Sequence, residues 1–121
     1  MTPEAVVKFL RDALTGAGTI RETRMFGGIC FMLEGNMVAG TFRRGLLARV
    51  GKDRMRTALS WKGARQMEMN SRLMEGYVYI AAEELTEKVV AAALDLAVSF
   101  VRTLPPKAAK AESKPTKGKR K

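Results

Sequence analysis

Apolar positions along this chain recur in two periods, and each change of period marks an element. Val6, Phe9, Leu10, Ala13 and Leu14 fall at helical spacing and form one stripe. Thr2-Pro3-Glu4 precede it: threonine caps a helix start, proline suits the first helical position, and an acid favours the positive helix end. Gly16 and Gly18 follow. The spacing predicts a helix over 3–15. From residue 20 the helical period is lost. Residues 29–33 and 37–42 are apolar runs that meet across Glu34-Gly35-Asn36, a hairpin with a short Gly/Asn loop. A second reversal falls at Arg43-Arg44-Gly45, before residues 46–50. Residues 20–26 read as a strand ahead of these. Four strands in meander order follow, with Gly27-Gly28 as a bend or bulge between the first two.

Residues 52–60 predict a short helix crossing an edge of the sheet, and residues 64–70 and 76–81 two further strands, the second clearer than the first. Thr86-Glu87-Lys88 then opens the longest helix, whose apolar residues run from Val89 to Leu104 in a wide face of the kind that lies on a sheet. Pro105 and Pro106 stop it. No repeat at a period of 20–50 residues is visible. The order is helix, strands, short helix, strands, long helix. That order gives an α+β fold, a two-layer sandwich with an antiparallel sheet of about five to six strands.

Charge divides the chain a second time. It has 121 residues and a net charge of +10, from 22 Lys+Arg against 12 Asp+Glu. Residues 1–104 carry +4 of this and residues 105–121 carry +6. The latter segment holds three prolines and no aromatic or branched aliphatic residue, so it cannot bury enough apolar surface to offset its conformational entropy. The expectation is one folded domain over 1–104 and a disordered, Lys-rich tail over 105–121. Absent histidine excludes a Ser-His-Asp triad, a Cys-His pair and imidazole acid–base chemistry. A single cysteine excludes an internal disulfide and a multi-cysteine zinc site, and it fits a reducing compartment. The uncharged stretch before Lys8 is too short for a signal-peptide core, and no run reaches the 18 or more apolar residues of a membrane span. A cytoplasmic location with no membrane partner, no cofactor and no metal is the expectation.

Few residues carry candidate chemistry. Cys30 lies within an apolar run and reads as a small buried hydrophobe before it reads as a redox thiol. Gly27-Gly28 lacks the strand-to-helix setting of a phosphate loop. Arginine is the main cation of the folded part, and its planar fork suits phosphate or carboxylate. Arg43 and Arg44 at a hairpin tip, and Arg49 on a strand, are the candidates for an anion or partner contact; surface ion pairs with Glu22, Asp53 or Glu68 are the plainer reading of such charges. Met25, Met32 and Met37 read as core packing, and Trp61 either as an interface anchor or as a cap on the core edge. In the tail, Lys107, Lys110, Lys114, Lys117, Lys119, Arg120 and Lys121 form a flexible cationic strand that would attract phosphate backbones without reading sequence.

Several ordered blocks carry a resemblance. Met25-Phe26-Gly27-Gly28-Ile29-Cys30-Phe31-Met32-Leu33-Glu34-Gly35-Asn36-Met37 resembles the opening signature of the TfoX N-terminal domain family. Leu46-Leu47-Ala48-Arg49-Val50-Gly51, Ala64-Arg65-Gln66-Met67, Met74-Glu75-Gly76-Tyr77-Val78-Tyr79-Ile80 and Ser99-Phe100-Val101-Arg102-Thr103-Leu104-Pro105-Pro106-Lys107 resemble its later blocks. Members often have Gly-Arg-Pro-Met-Lys-Gly where this chain has Ser71-Arg72-Leu73-Met74-Glu75-Gly76. The resemblance implies a two-layer fold like that of secretion chaperones, which often dimerise, and it implies no known catalytic activity. The second domain of the full competence regulators has no counterpart in this sequence. The functional expectation is a non-enzymatic regulatory protein, a homodimer whose domain contacts an unidentified protein partner while the tail binds nucleic acid weakly. The alternative is a secretion-chaperone-type adaptor that binds protein without nucleic acid.

Overall fold

A computed structural model of the chain describes residues 1–25 and 27–107. Helix α1 spans Pro3–Leu14; the Thr2 hydroxyl accepts from the Ala5 amide at 3.0 Å, and Pro3 stands in the first turn. Its stripe buries Val6, Leu10 and Leu14. Strands β1 (Ile20–Met25), β2 (Gly28–Leu33), β3 (Asn36–Phe42) and β4 (Gly45–Arg49) follow as an antiparallel meander. A 3-10 turn over Lys52–Arg54 leads into the short helix α2, Met55–Leu59. Strands β5 (Ala64–Met69) and β6 (Arg72–Ile80) come next, then α3 over Glu87–Val101, capped by the Thr86 hydroxyl on the Val89 amide. Among the described residues this is an α+β fold with one six-stranded antiparallel sheet and three α-helices, as the periodicity predicts. None of these helices is long and apolar enough to cross a membrane.

The sheet order is β1-β2-β3-β4-β6-β5. The connection through α2 carries the chain past the place beside β4, so β6 returns to fill it and β5 becomes the edge. β6 starts at Arg72, four residues earlier than the apolar pattern predicts, because Asn70 and Ser71 turn the chain with both φ values positive (+53° and +65°). Such two-residue loops match the twist of paired strands. The bend or bulge predicted at Gly27-Gly28 is a bend. Gly27, at φ +80°, turns the chain so that Met25 pairs with Gly28. A bulge lies on β3, where Phe31 pairs with Ala39 and Met32 with Met37, which leaves Val38 as the extra residue, and the β5–β6 register shifts between Gln66 and Glu68. Val38 and Ala39 therefore both enter the main core.

That core lies between the helices and one face of the sheet. Val6, Leu10 and Leu14 of α1, Ala58 of α2, and Val90, Ala93, Leu94, Ala97 and Val101 of α3 meet Phe31, Leu33, Leu46, Ala48, Val78 and Ile80. Each large side chain buried there contributes about 1.5–3 kcal/mol. Trp61 packs half-buried against the same core, which is the core-edge role. Beyond α3 the chain stays attached: the buried Asn36 side chain donates to the Pro105 carbonyl at 3.0 Å, and the Lys107 amide donates to the Glu34 carbonyl at 2.8 Å. The β2–β3 turn thus holds residues 105–107. The predicted tail residues from 108 onward lie outside the described residues.

Candidate partner-binding face

All three helices pack on one face of the sheet, and strand alternation sends the other half of the side chains to the opposite face. Leu46, Ala48 and Val50 join the helices, while Leu47 between them joins a second cluster with Met67 and Tyr79. Met37, Phe42, Met69, Met74, Tyr77 and Ala81 pack around that second cluster. The registers align one transverse row through all six strands: Thr23, Cys30, Gly40, Leu47, Tyr79 and Arg65. Leu47, Met67 and Tyr79 are only 4%, 2% and 7% exposed although no helix among the described residues covers them. Large flexible and aromatic side chains shield one another across neighbouring strands there. Met37, predicted as core, packs in this second cluster rather than under the helices.

The row ends in a cluster of arginines and rings. At the β3–β4 tip, Arg43 and Arg44 both have positive φ, +48° and +68°. Glycine and asparagine tolerate that conformation, and arginine adopts it at a cost of roughly 1 kcal/mol per residue. The tip is tied down, because the Tyr79 hydroxyl donates to the Arg43 carbonyl at 3.0 Å. The Arg43 guanidinium lies over the Phe42 ring at 5.2 Å, and that of Arg65 over the Tyr79 ring at 5.2 Å. The two rings meet edge to face with centroids 6.0 Å apart. Arg43, Arg65, Phe42 and Tyr79 line one cavity of about 350 Å³, together with Met67 on its floor and Glu68. Asn70 and Ser71 also line it, so the β5–β6 tip reaches the same cavity as the β3–β4 tip. Among the described residues neither guanidinium forms an ion pair.

Arg49 is separate from this cluster. Its guanidinium lies 5.5 Å from the centroid of Tyr77 and 5.6 Å from that of Phe100, joining the sheet to α3. It borders another cavity, of about 530 Å³, with Gly51, Lys52 and Arg54. The structure therefore brings Arg43 and Arg44 to one hairpin tip and puts Arg49 in a different place. Arg65, absent from the candidate residues named from sequence, is the arginine that joins Arg43. Its signal is the pairing of Arg65 with Tyr79, which the sequence pattern does not reveal. Of the tail cations, Lys107 is held through its amide at the β2–β3 turn; Lys110, Lys114, Lys117, Lys119, Arg120 and Lys121 lie outside the described residues.

Other candidate chemistry resolves into structure. Cys30 is 2% exposed, and burial raises its thiol pKa, opposite to what a reactive thiolate needs. The Arg11 guanidinium donates to both Glu22 oxygens, at 2.6 and 2.9 Å, tying α1 to β1 and holding the Glu22 carboxyl below its ordinary range. Among the described residues, no three His, Cys, Asp or Glu side chains gather where a metal could be held. No curated protein and no solved structure matches the chain. The TfoX N-terminal domain family matches it over residues 12–100, and with that match spanning most of its length the chain belongs to the TfoX N-terminal domain family.

Proposed function

We propose that this is a non-enzymatic, cytoplasmic regulatory protein resembling the N-terminal domain of the competence regulators, with the folded domain contacting a protein partner and the basic tail contacting nucleic acid. The helix-free sheet face carries the first half of this reading. Met37, Met69 and Met74 lie half-buried around its buried Leu47, Met67 and Tyr79, and Arg43 and Arg65 beside it form no ion pair among the described residues. Met-rich surfaces adapt to partner side chains, and arginine is favoured at interfaces. The tail half rests on the +6 charge of residues 105–121. Self-association as a homodimer belongs to the same reading, and sedimentation equilibrium checks it.

Fluorescence anisotropy against a DNA duplex and an RNA tests the tail, using residues 1–121 and 1–107 at several salt concentrations. The cut falls after Lys107 because Asn36 and Glu34 hold residues 105–107. With about five phosphate contacts, log K falls against log salt with a slope near −4 to −5. Truncation removes most of this binding. Undiminished affinity in the shortened chain sinks the tail mechanism, and no binding by either removes nucleic acid from the account.

A further inference from the structure

We infer that the cavity between the β3–β4 and β5–β6 tips is the docking point for an acidic segment of a partner protein, a reading that rests on the protein-contact half of the proposed function. Charge selects the occupant. Arg43 and Arg65 face one cavity as guanidinium groups with no ion pair among the described residues, and Glu68 leaves their charge only partly balanced. A second copy of this chain would bring the same arginines against one another. The charge of residues 105–121 has the same sign, so the tail is no match either.

Shape and chemistry favour peptide over nucleic acid. Each guanidinium already covers a face of Phe42 or Tyr79, and the two rings contact each other edge to face, which leaves little ring surface on which a base could stack. Met67, 2% exposed, closes the bottom of the cavity, and arginines with polar side chains make its walls, which suits aspartate or glutamate. The positive φ values of Arg43 and Arg44 add a second sign of use. The turn geometry favours Asn-Gly, and two arginines hold the place at a cost in strain. The Tyr79 hydroxyl bond to the Arg43 carbonyl fixes the tip, so the fork of Arg43 is positioned before any ligand arrives.

The test uses the full chain and a fluorescein-labelled peptide of alternating aspartate and leucine. Three variants are compared with the parent: Arg43→Gln combined with Arg65→Gln, Glu68→Gln alone, and Lys117→Gln combined with Lys119→Gln. Loss of the two arginines weakens binding about tenfold or more. Glu68→Gln strengthens it by about two- to threefold, a gain that an unfolded variant cannot produce. The tail variant keeps the dependence on Arg43 and Arg65. Equal binding by the parent and the double arginine variant, with loss only in the tail variant, overturns the proposal by assigning the attraction to the tail. Unlabelled DNA duplex that displaces the peptide from residues 1–107, where Lys107 is the only tail cation left, also overturns it, because the cavity is then a nucleic-acid contact. Neither result bears on tail binding of nucleic acid, which the truncation experiment decides separately.

Discussion

Arg49 and Tyr77 stand opposite one another across the β4–β6 pair, with the guanidinium 5.5 Å from the ring centroid, and Phe100 of α3 receives the same guanidinium at 5.6 Å. One cation thus fastens the end of the sheet to the C-terminal half of the long helix. Cation–π contacts of partly buried arginines contribute about 0.5–2 kcal/mol, and the arginine stem adds packing. Arg49→Ala is expected to destabilise the domain by about 1–2 kcal/mol in urea unfolding, with Arg49→Lys intermediate because a compact ammonium stacks less well. An unchanged midpoint in Arg49→Ala removes the fastening role.

The β3–β4 turn trades stability for its arginines. Replacing Arg43→Asn and Arg44→Gly together places residues that tolerate positive φ at +48° and +68°. Relief of strain is expected to raise stability by about 1–2 kcal/mol, or several degrees in the midpoint of thermal unfolding. The same pair of changes is expected to weaken capture of the aspartate–leucine peptide. Higher stability with undiminished capture would separate the turn from the docking point.

Asn36 holds the chain beyond α3. It is 3% exposed and donates to the Pro105 carbonyl. Asn36→Ala removes that hydrogen bond and is expected to cost about 0.5–1.5 kcal/mol, since water can reach the exposed Pro105. Amide exchange at Lys107, whose amide bonds to Glu34, is expected to accelerate more than exchange in α1. Equal acceleration throughout would mean that the change loosens the whole domain instead.

The Arg11–Glu22 pair sets an acid limit. The hydrogen bond from Arg11 lowers the folded-state pKa of Glu22 below its unfolded value, with burial opposing and the Arg11 charge assisting. A depressed carboxylate pKa contributes stability that is fully present above the unfolded value, about 4.3, and is lost as pH falls through the folded value. The pair is exposed, so its contribution is small and screened by salt. The stability difference between the parent and Glu22→Gln is expected to be constant above about pH 5.5 and to shrink below about pH 4. A difference that grows on acidification would reverse the sign and exclude this linkage.

Local order was legible because it is local. The stripe from Val6 to Leu14, with Thr2 and Pro3 ahead of it, defines α1 without reference to any other element, and Thr86 does the same for α3. Alternation gave the strands, and family blocks from Met25 to Lys107 gave the resemblance that the match over 12–100 supports. The start of β6 was missed because Arg72, Leu73 and Glu75 are polar or exposed, and a pattern of burial marks only the part of a strand that reaches the core.

The sequence by itself determined the α+β class, the helix faces, the hairpins and the concentration of positive charge after Leu104, since each depends on neighbouring residues or on composition. Tertiary structure alone decided that β6 lies between β4 and β5, which aligns Cys30, Gly40, Leu47, Tyr79 and Arg65 in one row. It also decided that Arg43 joins Arg65 and that Arg49 joins Phe100. Alternation says that successive side chains take opposite faces. It does not say which face the helices will cover or which strand will be the neighbour, and those follow only when the apolar stripes of α1 and α3 are buried against the sheet.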